Sequence, residues 1–316
     1  MKTVVVLDTG VSDPNLGNEI IMDAVNHELR SMFPHDFILH VPALEFIRAG
    51  RKLVQTADYV FLGGTNVLSS DMNKTSEWRV RQRDRLWLNN VILMGVGWWQ
   101  YQDFSPNMYT RFLLKGILHS NAAHSVRDAY TEYKLSPINL HVLNTGCPTM
   151  WHLDPHHCSL IPAHRSDCAL VTLTVYKQDE QSDRQFFEIV KRNYSKILFW
   201  PQQPGDYEYA RRIIGSDAEI LDPSLDALNA ALSLDSVDYI GTRLHAGIRA
   251  LQYKRRSIII SVDNRAAEMG SNFSLPVINR KEIDTHLEMC IESDWPTEVK
   301  LPETSIAAWK NQFIEK

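Results

Sequence analysis

The sequence predicts an α/β protein built from two Rossmann-like, doubly wound domains facing a cleft, and three observations carry that reading. Short runs nearly continuous in β-branched and apolar residues alternate with stretches of helical spacing, the pattern of parallel strands buried on both faces. The alternation breaks once, in a Pro- and His-rich stretch from Cys147 to Ser166, and then restarts. A chain of 316 residues is also too long for one ordinary core. Residues 1–155 and 156–300 are therefore read as the two domains, and 301–316 as a C-terminal helix crossing back to the first.

In the first half, Val4–Leu7, Phe37–Val41, Tyr59–Leu62, Val91–Gly95 and Leu140–Asn144 read as strands ending in polar or turn-forming sequence. Glu19–Met32, Thr75–Leu88 and Met108–Leu118 carry helical spacing between them. In the second half the strands are Ala169–Val175, Lys196–Trp200, Ala218–Leu221, Tyr239–Gly241 and Ser257–Val262. Helices are expected at Asp183–Tyr194, Tyr207–Ile214, Leu225–Leu232 and Ala246–Tyr253, with a last one over Ser305–Ile314. Ligands of such sheets bind beyond the carboxyl ends of the strands, so chemistry is sought there.

Composition narrows the functional classes. Lys and Arg total 33 against 38 Asp and Glu, a formal charge of -5, with no basic stripe, which argues against a nucleic-acid partner. The run Arg79, Arg81, Arg83, Arg85 reads as a solvated face. Val91 to Trp99 falls far short of the ~20 apolar residues that span a bilayer, and Asp8 cuts short the first apolar run. A cytoplasmic protein without a transmembrane segment is expected, with peripheral membrane contact left open. The four cysteines form no disulfide framework. Cys147, Cys158 and Cys168 lie near several histidines, yet no CxxC or HExxH spacing marks a metal site, and a structural loop is preferred over zinc.

At the strand exits, Asn15, Gly17 and Asn18 follow the first strand, and Gly64 and Asn66 follow the third. Gly95 and Trp98 follow the fourth. Glycines there let a ligand approach backbone amides, asparagines cap helices or bond hydroxyls, and Trp98, Trp99 and Trp151 offer faces for a sugar ring. Each also has a plain reading as turn, cap or core. Gln202 and Gln203 end another strand with amides suited to hydroxyls or to solvated loop.

Arg243-Leu244-His245 is the sharpest feature, an arginine and a histidine where a strand becomes a helix. Helix N-termini attract anions, the guanidinium fork suits phosphate or carboxylate, and histidine moves protons near neutral pH. Burying both requires a partner anion, either a ligand or an internal carboxylate such as Asp238 or Asp263. Asp263-Asn264-Arg265 adds charge at the next strand exit.

Asp238-Tyr-Ile-Gly-Thr-Arg-Leu-His-Ala-Gly-Ile-Arg-Ala250, with Ser257–Arg265 and Leu275-Pro-Val-Ile278, resembles the polysaccharide pyruvyl transferase family. Asn15–Ile21, Ser125–Asp128 and Asn144–Pro148 support the likeness, which spans most of the chain. The resemblance implies a GT-B-like fold and transfer of an enolpyruvyl-derived group from phosphoenolpyruvate to a sugar or lipid-linked glycan, making a pyruvate ketal in exopolysaccharide biosynthesis. It implies no cofactor beyond that donor substrate, with the acceptor on the first domain and phosphoenolpyruvate on the second. His245 would be the acid or base, Arg243 and Leu244 would hold the donor, and Asp263, Asn264 and Arg265 would lie beside it. Family members often carry a further arginine after the first strand of the second domain. This chain has Thr174-Val-Tyr-Lys177, so either Lys177 substitutes as a point charge or donor binding is altered. The competing expectations are a nucleotide-sugar glycosyltransferase and a non-catalytic sugar-binding protein of the same fold.

Overall fold

The computed structural model describes residues 1–45, 50–75 and 77–314. They divide into two compact units, one of residues 1–13, 21–151 and 301–316, the other of 14–20 and 152–300. In the first unit the elements run β1 (Thr3–Asp8), α1 (Leu16–Met32), β2 (Phe37–Pro42), α2 (Arg51–Thr56), β3 (Tyr59–Gly63), β4 (Asn66–Leu68), β5 (Val91–Met94), β6 (Gly97–Trp98), α3 (Met108–Ile117), β7 (His124–Val126), α4 (Ala129–Leu135) and β8 (Val142–Asn144). The first turn of α1 groups with the second unit. A four-stranded sheet is ordered β2-β1-β3-β5, all parallel. Its central strand β1 is Thr-Val-Val-Val-Leu-Asp, with Val4 to Leu7 wholly buried, as a strand covered on both faces must be.

The second unit runs α5 (Pro155–Ser159), β9 (Cys168–Thr172), α6 (Glu180–Asn193), β10 (Lys196–Phe199), α7 (Asp206–Ile214), β11 (Glu219–Ile220), α8 (Leu225–Leu232), β12 (Asp238–Gly241), α9 (Leu244–Gln252), β13 (Ser257–Ser261), α10 (Asn264–Phe273), β14 (Val277–Asn279) and α11 (Glu288–Glu292). Its six strands are parallel, in the order β11-β10-β9-β12-β13-β14. The chain walks outward from β9 to β11, returns to the other side of β9, and walks outward again from β12 to β14. That reversal between β9 and β12 opens a crevice at their carboxyl ends, the binding position of doubly wound sheets. The last helix, α12 (Glu303–Asn311), belongs to the first unit, where Trp309 packs edge-on against Phe61 and Phe313 at 5.9 and 5.1 Å.

Two expected elements differ. Thr75–Leu88 is not a helix: Ser76 lies outside the described residues, and the only helical segment in the remainder is a short 3-10 turn at Gln82–Leu86. Trp78 and Val80, two apart, are both buried, which extended chain achieves and a helix face does not. Of the arginines there, Arg79, Arg81 and Arg83 are exposed, whereas Arg85 lies 3.8 Å over the Phe112 ring. The strand read as Ala169–Val175 ends at Thr172, and Val175–Lys177 forms a 3-10 turn. No helix of the described residues is long and apolar enough to cross a membrane.

Candidate active site at the reversal of the second sheet

Arg243 leaves the end of β12 and stands at the N-cap of α9 with 2% of its surface exposed. Its partner is neither Asp238 nor Asp263 but Asp206, the first residue of α7, which is wholly buried and accepts from Arg243 Nη2 on both carboxylate oxygens. Arg243 Nη1 donates to Gln203 Oε1 at 3.3 Å and Nε to the Leu173 carbonyl at 3.4 Å. The Asp206 carboxylate also accepts from the amides of Val175, Gln202 and Gln203 at 3.1, 3.1 and 3.2 Å. One side chain thus joins the turn after β9, the loop after β10 and the arginine after β12.

Asp238 lies at the opposite end of β12, where it accepts from Tyr194 Oη at 2.8 Å and pairs with Arg256 at 3.5 Å. Burial pushes its carboxyl above the usual range despite those partners. Asp263 caps α10 by accepting from the Arg265 amide at 3.0 Å and takes a second bond from Arg265 Nε at 2.9 Å.

Tyr176 connects these pairs. Its ring lies 5.0 Å from the Arg243 guanidinium carbon and 5.2 Å from that of Arg265, and its hydroxyl accepts from Arg265 Nη2. Burial works against the charged form of Arg265, but Tyr176 and Asp263 outweigh it and hold the guanidinium above its ordinary range. Lys177, exposed beside Tyr176, has no ion-pair partner among the described residues, so it is the cation left over once both arginines are matched. The Arg243 side chain makes no capping bond to α9. Its backbone is set from the strands instead: the Arg243 amide donates to Tyr239 Oη at 3.2 Å and to Thr172 Oγ1 at 3.3 Å, and Tyr239 Oη donates to the Arg243 carbonyl at 2.7 Å. Burial pushes the Tyr239 hydroxyl well above its usual range, so it stays a donor. Leu244 and His245 form the first turn of α9, both buried, and Asn264 is the buried first residue of α10.

Asn15, Gly17 and Asn18 fall within the same unit as the Arg243 cluster. Gln202 Nε2 donates to Asn15 Oδ1 at 2.8 Å, and a Cβ on Gly17 would come within 2.6 Å of that nitrogen, so the glycine admits the contact. Through Gln202 and Asp206 this segment reaches Arg243.

Gly64, Asn66, Gly95 and Trp98 belong to the first unit. The expectation of a sugar-stacking Trp98 is corrected: its ring is wholly buried in the hydrophobic cluster around β3 and β5, with Nε1 donating to Gln102 at 2.8 Å. Gly64 and Gly95 both take positive φ, and a Cβ on either would strike Ile21 or Pro148, so packing accounts for both glycines. In the His- and Cys-rich stretch, His157 Nε2 bonds the Leu251 carbonyl at 2.8 Å and Cys158 donates to the Leu153 carbonyl at 3.4 Å. Burial raises the thiol of Cys158. Asp206 was missed from sequence, although an acid opening a helix six residues beyond a strand end was the available signal.

The fold is that of the GT-B enzymes. A UDP-GlcNAc 2-epimerase of Methanocaldococcus jannaschii, solved with UDP-GlcNAc and UDP, aligns over 96% of this chain and 95% of its own with a TM-score of 0.55 at 12% identity. A Listeria monocytogenes protein described as a UDP-N-acetylglucosamine 2-epimerase aligns over 100% and 97% with a TM-score of 0.53, also at 12% identity. No curated protein sequence matches the chain. The sequence profile of the polysaccharide pyruvyl transferases matches residues 15–264, from Asn15 through the Arg243 cluster to Asn264, and the chain belongs to that family. It is a transferase, of the kind that moves a pyruvyl group to a glycan.

Proposed function

We propose that the donor is phosphoenolpyruvate and that the product is a cyclic pyruvate ketal on a glycan sugar, with phosphate released. The observation that supports this most is the placing of Arg243, His245, Lys177 and Arg265 around the reversal of one sheet, beside the N-terminus of α9, whose N-cap side chain is turned to Asp206 and makes no capping bond. A carboxylate and a phosphate carried on one carbon suit such a cluster.

In the proposed reaction the methylene carbon of phosphoenolpyruvate is protonated, which makes its central carbon electrophilic. One sugar hydroxyl attacks there, the bond to the phosphate oxygen breaks, and a neighbouring hydroxyl closes the ring. Two C–O bonds form and one breaks. Of the two hydroxyl protons, one replaces the proton given to the methylene and the other leaves with phosphate, so the reaction is redox-neutral and needs no nicotinamide. His245 carries the proton, a role that contributes ~10²–10⁴-fold. Lys177 and Arg265 hold the carboxylate and phosphate and stabilise leaving charge, while Arg243, clamped by Asp206, fixes the strand–helix junction and adds its field. Leu244 and Asn264 contribute as first residues of the two helices that open on this edge.

Incubation with phosphoenolpyruvate and a panel of free and lipid-linked glycans, read by mass spectrometry and phosphate release, tests the reading. A ketal mass gain lost in His245→Ala is the expected result. No pyruvylated glycan, together with thermal stabilisation by UDP- or GDP-sugars but not by phosphoenolpyruvate, overturns it in favour of nucleotide-sugar transfer.

A further inference from the structure

Beyond the cationic cluster, the same sheet edge carries a cavity of different chemistry. It has a volume of about 500 Å³, within the roughly 300–1,000 Å³ of small-ligand sites, and lies between the loop after β10, the loop after β11 and the first turn of α7. Its lining includes the carboxylates of Glu208 and Asp222 and no lysine or arginine, so it disfavours the phosphates that the neighbouring cluster attracts. Proline faces and the Tyr207 ring supply apolar surface. Arg211, one turn on, donates to Tyr207 Oη at 3.4 Å and steadies the ring.

Gln202 closes the inner wall of the cavity. It lines the cavity and is only 4% exposed, yet its Oε1 is buried with no hydrogen-bond partner. The amide cannot turn over to cure this, because Asn15 Oδ1 is already fixed as an acceptor by the Gly17 amide at 3.0 Å and so requires the Gln202 nitrogen. That oxygen has almost no accessible surface, so the hydroxyl acceptors open to the cavity are the exposed Glu208 and Asp222. The next residue, Gln203, also lines the cavity while its Oε1 accepts from Arg243, so a ligand seated here lies beside the donor cluster.

We propose that this cavity is an acceptor subsite for a neutral hexopyranose unit of the glycan. Glu208 and Asp222 accept its hydroxyls, and Tyr207 with the prolines covers its C–H face. The inference rests on the pyruvyl-transfer reading for the identity of the sugar as acceptor, and it places one acceptor subsite on the second unit rather than the first.

Tyr207, Glu208 and Asp222 are exposed, so Tyr207→Ala and Asp222→Asn are expected to fold as the parent does, which circular dichroism checks. Saturation-transfer NMR with neutral methyl hexopyranosides should show signal that both variants lose. In the pyruvylation assay each variant should raise the acceptor KM about 10-fold, with kcat and the KM for phosphoenolpyruvate unchanged. Pyruvylation with acceptor KM within twofold of the parent in both variants overturns the subsite and leaves the reaction standing. Loss of glycoside signal in the variants without any pyruvyl transfer supports the sugar site and rejects the reaction. Saturation transfer to UDP but to no neutral glycoside overturns the proposal outright.

Discussion

Asp206→Asn is the substitution that tests the architecture of the site most directly. Asp206 is wholly buried, Arg243 is 2% exposed, and the carboxylate accepts from three backbone amides as well as the guanidinium. The asparagine keeps the shape and one acceptor oxygen but leaves a buried cation uncompensated. Breaking a buried pair from one side costs about 3–5 kcal/mol. For a unit of this size each kcal/mol lowers Tm by roughly 2–4 °C, so a fall of roughly 6–20 °C is expected by calorimetry. Arg243→Met alone should also destabilise, because it orphans the carboxylate. The double variant should cost less than the sum of the two by well over the ~0.5 kcal/mol scatter of independent sites. Additive single effects, or a Tm change within the scatter of repeat scans, would refute the reasoning that Asp206 and Arg243 form the anchor of this edge.

Three further outcomes follow from the geometry. Gly241→Ala places a Cβ 2.3 Å from Thr172 Oγ1 and 2.7 Å from the Thr172 backbone nitrogen, atoms of the paired strand that cannot step aside without separating β9 from β12; a loss of about 1–3 kcal/mol or more is expected, and an unchanged Tm rejects the close approach. Burial of His124, whose Nε2 bonds the His119 carbonyl at 2.9 Å, lowers its pKa from 6.5 to about 4. The unfolded chain then binds the extra proton between those values, so stability is complete above pH 6.5 and about 3 kcal/mol is lost as pH falls to 4. His124→Asn should flatten that part of the Tm–pH curve, and an identical slope in the variant contradicts the assignment. Lys177→Ala should raise the KM for phosphoenolpyruvate about 10-fold while Lys177→Arg keeps it within a few-fold, as a charge-assisted contact predicts; equal KM values in steady-state assays would remove Lys177 from the donor site.

The strands were legible because a parallel strand covered on both faces leaves no room for polar alternation: Ser257–Ser261, with its three isoleucines, can hardly be read otherwise. Arg243 and His245 were legible for a related reason, since a charged pair placed where a strand turns into a helix demands a partner. The partner itself was not. Asp206 lies 37 residues before Arg243, and only the strand order, with β10 and β12 on either side of β9, brings the two exits together. Trp98 shows the opposite failure. A tryptophan after a strand looks the same in sequence whether it faces a ligand or the core, and here the cluster around β5 claims it. The segment from Thr75 to Leu88 misled because its arginines suggested a helical surface, while Trp78 and Val80 anchor it in extended form.

The edge of the second sheet therefore divides by charge. Around β9, β12 and β13 it gathers Arg243, Arg265 and Lys177; around β10 and β11 it offers Glu208 and Asp222. The seam between the two is the segment Gln202-Gln203, whose amides are both held by Asp206 and whose side chains face opposite demands, one toward Arg243 and one toward Asn15. This arrangement separates the consequences of substitution. Loss of Lys177 should weaken the donor alone and loss of Tyr207 the acceptor alone, whereas loss of Asp206 loosens the seam and should raise both KM values together. A purely structural role for Asp206 would lower the amount of folded protein without moving either KM, so the pattern of the three variants distinguishes an organised two-substrate edge from a buried ion pair that merely holds the sheet.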